Sequence, residues 1–378
     1  MAKPVIRVGI AGQGRSGYGI HARYLCTAGK QYEIVAVSDE LAARRKEARE
    51  QFGCRTYADW REMLQDGQFD LLVNSLPSNL HPTGAIAALQ RGYHVVCEKP
   101  IAVKVADFDK MVAAAKQGKR VFAPFQNSRF WPYFAKVREV IASGMLGKIL
   151  HIRLVWSGFK RRWDWQTRQD LWGGNLNNTG PHPMDQAIIL FGSKTPKVFA
   201  QLRSEEGSYG DADDFAAVTL YGGKDDPVIE VLVSSYLAYG PDYAMTVCGT
   251  RGGLQAGPGV ARWQYYRPGS APRHHLQEGW SQGRHFCSEK LPWTQKSWKR
   301  PPSDNFQTLS GGFYNNLYDV LTGKGKLIVQ PAEVRRQVAV LEECHRQNRL
   351  PKGKKKTAKK TARKKTARKR AKKTSRTK

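Results

Sequence analysis

The stretch Val95-Val96-Cys97-Glu98-Lys99-Pro100 sets an acid, a lysine and a proline directly after an apolar run. Pro100 cannot donate to a strand ladder and biases Lys99 away from helical geometry. The pattern predicts Lys99 at the carboxyl edge of a buried strand, where an open parallel sheet binds its ligands. An ordinary strand end with a solvated lysine would look the same. A second stretch, Gly12-Gln13-Gly14-Arg15-Ser16-Gly17, follows the strand-like Val5 to Ala11 and precedes a helical pattern over Tyr18 to Ala28. Strand, Gly-x-Gly-x-x-Gly and helix in that order are the context of a dinucleotide-binding turn. Gly12 would permit the tight turn, Gly14 the approach of a pyrophosphate and Gly17 close helix–strand packing, with the helix N-terminus facing the phosphates. A third stretch, Gly173 to Asp185, is glycine-rich, contains Asn178, and brings His182 to the start of a helix over Pro183 to Phe191.

The elements that must position these residues alternate between strand and helix. Strands are expected over Tyr32 to Ser38, Asp70 to Leu76, Tyr93 to Cys97 and Arg120 to Phe125, with helices over Leu41 to Gln51, Thr83 to Arg91 and Val103 to Lys116. Such alternation argues for a parallel sheet with helices on both faces, a Rossmann-type doubly wound α/β domain. Asp39, ending the second strand, follows Gly14 at about the spacing that brings a carboxylate to the adenosine ribose. That favours NAD, whereas Arg44 and Arg45 would suit the extra phosphate of NADP. Asp39 could equally cap the following helix. The turn from Pro77 through Asn79 and His81 to Pro82 leaves the same sheet edge.

These residues together resemble the Gfo/Idh/MocA oxidoreductases, such as glucose–fructose oxidoreductase and inositol dehydrogenase. The motifs are Gly12 to Gly17, Asp39, Asn79-Leu80-His81-Pro82, Val95 to Pro100, Gln126 to Pro132 and Ile141 to Lys148. The resemblance implies cofactor contacts from Gly12, Gln13, Gly14, Arg15, Ser16, Gly17, Asp39, Pro77, Asn79, His81, Glu98 and Lys99. It implies that His182 acts as general base or acid on a substrate hydroxyl with Lys99 as its partner, and that Asp185 contacts substrate. The family carries an acid four residues before its histidine; Asn178 stands there and can orient a hydroxyl without carrying a proton or charge. NAD, or NADP, is the implied cofactor, a sugar or polyol the implied substrate, and a homo-oligomer through the second domain's sheet the implied assembly.

The second half begins with an alternating strand, Ile149 to Trp156, followed by further strands at Val198 to Arg203, Phe215 to Tyr221, Val228 to Tyr236 and Ala244 to Cys248. They predict an α+β domain with a large, mostly antiparallel sheet open on one face. Between them, Ser157 to Trp172 crowds Lys160, Arg161, Arg162, Trp163, Asp164, Trp165 and Arg168. Aromatic faces and forked guanidinium donors suit a polar ring or an acidic ligand, which makes Arg161 and Trp163 substrate candidates. A basic surface loop over packed tryptophans is the plain alternative. Pro258 to Pro302 shows little periodicity and is expected as an irregular arm over the site or a subunit contact. Phe306 to Thr322 and Pro331 to Asn348 read as closing helices.

Composition bounds the rest. The 378 residues carry a net charge of +30, of which 12 Lys and 4 Arg, with no acid, fall in Lys352 to Lys378. The expected domains are therefore 1–125 for NAD(P) binding, 126–349 for substrate and oligomerisation, and a disordered basic tail over 350–378. Such a tail would contact nucleic-acid phosphates without sequence preference, or act only as a solubilising extension. The N-terminus lacks a signal-peptide pattern and no apolar run spans a bilayer, so a cytoplasmic protein with no transmembrane segment is expected. Six scattered cysteines form no Cys-x-x-Cys pair, and His274-His275 has no companion ligands; neither a disulfide framework nor a metal is expected. Beside the oxidoreductase stands a second reading, a non-catalytic cofactor- or sugar-sensing regulator whose tail binds nucleic acid.

Overall fold

The computed structural model of the chain describes residues 4–205, 208–280, 283, 284 and 286–353. Its first half holds a six-stranded sheet ordered β3-β2-β1-β4-β5-β6, with every neighbouring pair parallel. The strands are β1 (Ile6–Ala11), β2 (Tyr32–Ser38), β3 (Arg55–Tyr57), β4 (Leu71–Asn74), β5 (His94–Cys97) and β6 (Phe122–Pro124). The order reverses between β1 and β4, the switch point where doubly wound sheets bind nucleotides. Helices α1 (Arg23–Thr27), α2 (Ala42–Phe52), α3 (Trp60–Asp66), α4 (His81–Gln90) and α5 (Val105–Gly118) connect them. A π-helical turn over Gly17–Ala22 leads into α1. β4 and β5 are buried along almost their whole length, as a sheet covered on both faces requires.

After α6 (Pro132–Ala142) comes an eight-stranded sheet ordered β14-β13-β12-β11-β7-β10-β9-β8. Its strands are β7 (Ile149–Ser157), β8 (Lys197–Arg203), β9 (Phe215–Tyr221), β10 (Val228–Ser234), β11 (Met245–Gly249), β12 (Gly252–Gly257), β13 (Val260–Tyr265) and β14 (Thr294–Lys299). All pairs are antiparallel except β7 with β10. One face is covered by α6, by α8 (Pro181–Phe191), which follows the short α7 (Asn175–Asn178), and by α10 (Pro331–Gln347), which follows α9 (Asn305–Leu321). The fold is the expected pair of a parallel Rossmann sheet and a mostly antiparallel sheet.

Three expectations are corrected. Pro258 to Pro302 is not irregular throughout: it holds β13 and β14, whose polar faces hid their period of two. The pair β3 and α3 was not anticipated, because a three-residue strand offers no alternation to read. Disorder from residue 350 does not hold for 350–353: Leu350 packs on the second core, Pro351 O accepts from Gln169 Nε2 at 2.9 Å, and Gly353 N donates to Asp211 Oδ2 at 3.0 Å. The rest of the basic tail, 354–378, lies outside the described residues.

The two sheets have separate apolar cores that share the last helix, α10. Phe313, Tyr314, Leu317 and Tyr318 of α9 belong to the first core, although the sequence assigns α9 to the second domain. Helix α10 enters both: Val334 and Val338 pack in the first core, Val340, Leu341 and Cys344 in the second. Among the described residues no helix is long and apolar enough to cross a membrane. All six cysteines are free, and Cys54, Cys97 and Cys344 are buried.

Candidate active site

Strand register gathers the candidates. Ala11 lies opposite Ser38 and Asn74, and Asn74 lies opposite Cys97. The chain beyond those four residues supplies the glycine turn, Asp39, the Pro77 turn and Glu98-Lys99 respectively, all at one sheet edge.

The glycine turn is shaped by contact. Gly12 has φ +91°, and a Cβ there would lie 2.5 Å from Ser75 O. A Cβ on Gly17 would come within 1.8 Å of Gly12 O, so helix and turn could not close. Gly14 instead faces open space, with Arg44 Nη1 at 3.8 Å the nearest atom to its would-be Cβ. The Gln13 side chain is buried with both amide atoms unpartnered, as is Asn79 Oδ1 in the next turn. Open backbone at Gly14 beside orphaned polar atoms fits a dinucleotide. Asp39 braces this corner: its carboxylate accepts from Gln13 N and Leu41 N, both at 2.9 Å, and meets Arg44 Nη1 at 3.2 Å. Leu41, not Asp39, is the N-cap of α2. Arg45 is spent on the carbonyls of Asp39 and Glu40, at 2.7 and 2.9 Å.

Lys99, just after β5, reaches across to α7 in the second half of the chain. Its Nζ donates to Asn178 O at 2.6 Å and lies 3.3 Å from Asn178 Oδ1. Burial pushes its pKa down to about 8; Glu98 opposes that, while the Arg15 and Arg162 charges add to it. His182 is the second residue of α8, and its ring stacks on Trp156 with centroids 5.6 Å apart. Its Nδ1 is buried without a partner. Burial first, then the Lys99 and Arg15 charges, lower its pKa to about 3, so the imidazole is neutral over the working range. Asn178 and Trp156 both line a cleft of about 860 Å³ with Arg15, Trp131, Tyr133, Lys160, Arg162 and Thr179. Lys99 and His182 thus contact two residues of that cleft's wall, Asn178 and Trp156, and Arg15 of the glycine turn lines the same cleft.

Behind Lys99 runs a polar line that the sequence did not reveal. Glu98 Oε2 accepts from Lys99 N at 2.9 Å, its Oε1 lies 3.1 Å from His21 Nε2, and His21 Nδ1 lies 2.6 Å from the Tyr314 hydroxyl. Burial works against the Glu98 charge, but His21 and Lys99 outweigh it and hold the carboxyl at about 2. With Glu98 ionised and able only to accept, His21 Nε2 is the donor of that bond. The sequence signal was a histidine inside the helix that follows the glycine turn; its partner is 293 residues away.

Several candidates are placed elsewhere. Asp185 does not reach the cleft: it is fully buried, with Oδ2 and Oδ1 accepting from Arg129 Nε and Nη2 at 2.6 and 2.8 Å. Arg129 also binds Glu333 of α10, so Asp185 is a brace between elements. His81 is buried with Nδ1 at 2.8 Å from Pro100 O and Nε2 at 2.9 Å from Leu76 O, leaving neither nitrogen for a cofactor. Burial lowers its pKa, and the hydrogen bonds to the Pro100 and Leu76 carbonyls oppose that shift. The Glu98 carboxylate, as described, is turned to the interior. Trp163 is 79% exposed and meets Tyr209 edge-on, outside the cleft wall. Arg161 lies over the Tyr209 ring at 4.9 Å and lines a small recess beside the cleft. Pro77 caps the short turn that carries Asn79, at the nucleotide edge.

Comparison with known proteins points the same way. Residues 6–125 match the model of the oxidoreductase family with an NAD-binding Rossmann fold, and residues 134–255 match the GFO/IDH/MocA C-terminal domain. An uncharacterised oxidoreductase of Schizosaccharomyces pombe is 30% identical over 256 residues, 65% of this chain and 69% of that protein. The myo-inositol 2-dehydrogenase of Thermotoga maritima is 28% identical over 66% of this chain and 75% of its own. The structure of the WlbA dehydrogenase from Bordetella pertussis in complex with NADH and UDP-GlcNAcA superposes with a TM-score of 0.72 at 21% identity, covering 92% of this chain and 97% of that one. That last likeness is one of fold.

Proposed function

We propose, from the premise that this chain belongs to the GFO/IDH/MocA oxidoreductase family and carries its NAD-binding Rossmann domain, that it oxidises or reduces a secondary alcohol of a sugar, polyol or related compound. The observation that carries this reading is Lys99 bonded to Asn178 and a neutral His182 stacked on Trp156, two wall residues of one cleft, beside a glycine turn with open backbone. The myo-inositol 2-dehydrogenase among its relatives supports the substrate class. A bound nicotinamide would exchange a hydride with the substrate carbon. The chain's own part is to hold the hydroxyl and move its proton. In oxidation His182, uncharged, takes that proton, and Lys99 donates to the same oxygen and offsets the charge developing there. Asn178 aims the Lys99 ammonium through its two oxygens. Gly12, Gln13, Gly14, Arg15, Ser16, Gly17, Asp39, Pro77 and Asn79 would hold the dinucleotide, with the Asp39 carboxylate favouring NAD.

The test is NADH formation on a panel of inositols and hexoses, with Lys99→Ala beside the wild type. The variant should lose turnover by about a hundredfold or more, the scale of a removed acid–base group, while NADH binding by fluorescence stays unchanged. Full activity in Lys99→Ala would sink the assignment. The sensing-regulator reading is favoured by Asn178, which carries no proton; it requires cofactor binding with no NADH formed from any compound.

We also infer two assembly properties. The face of β11 to β14 turned away from the core forms a groove of about 670 Å³ lined by Cys248, Gln255, Arg262, Gln264 and Gln295, which supports a homo-oligomer through this sheet; light scattering at micromolar concentration tests it. The 12 Lys and 4 Arg of the tail support contact with nucleic-acid phosphates. Truncation at residue 353 should abolish salt-dependent DNA retention without altering NADH binding; retention that survives truncation contradicts the idea.

A further inference from the structure

The cleft beside Lys99 and His182 holds more positive charge than its wall can answer. Arg15, Lys160 and Arg162 line it, against the single carboxylate of Asp242 among its described lining residues. Arg162 has its own counter-ion: Nη2 and Nε meet Asp164 Oδ2 at 2.6 and 3.1 Å. Lys160 is anchored by its backbone, N to Ser235 O at 2.9 Å, and among the described residues neither its ammonium nor the Arg15 guanidinium has a carboxylate partner. The Glu98 carboxylate, next to Lys99 in the chain, is engaged by His21 and by the Lys99 backbone N–H. Asn178 contributes oxygens but no charge. The Arg15 charge reaches both Lys99 and His182, and that of Arg162 reaches Lys99. Like charges gathered in a partly desolvated cleft repel one another, and an anion placed among them relieves that repulsion.

We propose that the substrate of this cleft carries an anionic group, a carboxylate or a phosphate ester, received by Lys160 and Arg15 while Lys99 and His182 hold its reacting hydroxyl. The inference rests on the oxidoreductase reading and narrows its substrate to acidic sugars or polyols. The cofactor's own phosphates are the other source of such an anion. Arg15 lies in the glycine turn and is within reach of either. Lys160 lies beyond β7 in the second sheet, beside Ser235 and Asn175, and belongs to the substrate side. It is therefore the residue that separates the two.

The experiment titrates the full chain, saturated with NAD, with matched pairs by calorimetry: D-glucuronate and D-glucose, D-galacturonate and D-galactose, and glucose 6-phosphate and glucose. At least one acid should bind about tenfold or more tightly than its neutral parent. The preference should shrink as NaCl rises from about 50 to about 500 mM, as expected for a screened ion pair. Lys160→Ala should remove most of the preference, Lys160→Arg should keep it, and NAD affinity should stay within about twofold in both. No acid outbinding its parent overturns the proposal, as does a preference that survives Lys160→Ala. A large loss of NAD affinity in Lys160→Ala also overturns it, by assigning the cations to the cofactor. NADH formed equally from acid and neutral partners refutes the anion while leaving the oxidoreductase standing. Acid-selective binding with no NADH from any compound refutes the oxidoreductase instead.

Discussion

In the proposed reaction Lys99, His182 and Asn178 divide a single proton transfer among three chemistries, and pH should expose the division. A lysine ordinarily loses its proton near 10.5; here burial brings that to about 8, so the ammonium is present below pH 8 and disappears above it. His182, lowered to about 3, can accept a proton throughout that range and should contribute no acidic limb near neutrality. The kcat/KM for oxidation should therefore be flat up to about pH 8 and then fall. Glu98→Gln removes the charge that opposes the lowering and should move the fall to lower pH; Asn178→Asp adds one and should move it higher. A rate rising through pH 8 would instead make Lys99 the proton acceptor. Lys99 and His182 were legible as candidates because Pro100 and the glycine-rich approach to α8 mark unusual places for polar residues. The buried partners of Asp185 and His81 were not legible, because a sequence does not show burial. The identical residue types serve inside the protein as an ion-pair partner and as a buried ring between two carbonyls.

At the scale of elements, the site depends on how closely helices meet strand ends. Gly17→Ala puts a methyl group into the Gly12 carbonyl, where backbone cannot yield. Overpacking of this kind costs roughly 1–3 kcal/mol, so the variant should unfold at lower temperature and bind NADH weakly. Gly14→Ala meets only open space and should keep the stability while losing the affinity, as differential scanning fluorimetry beside NADH titration will show. Asp185→Asn leaves Arg129 buried against one remaining acid. Breaking a buried pair costs about 3–5 kcal/mol, and the loss should appear as a lower urea midpoint with KM unchanged; a KM effect at full stability would restore Asp185 to the substrate. Alternation of strands and helices made the first sheet readable, since β4 and β5 are short, mostly apolar runs set between helices. β13 and β14 escaped because an exposed strand such as Thr294–Lys299 alternates polar with polar, and hydrophobic period is the signal that reading relies on.

For the whole molecule, local patterns cannot say which elements far apart in sequence share a core. Nothing in α9 indicates that Tyr314 completes a polar line behind Lys99, or in α10 that its two halves enter different cores. The placement of α10 has a thermal consequence. A chain of two sheets with independent interiors would melt in two steps, the weaker first. Here Val334 and Val338 cannot leave the first core without disturbing Val340, Leu341 and Cys344 in the second. The two halves should therefore lose heat-resistant order together, as one cooperative endotherm in a scanning calorimeter. Leu341→Ala, a deletion worth about 2–5 kcal/mol, should lower that single peak as a whole. Splitting it in two would mean that the shared helix is a passenger on one half only.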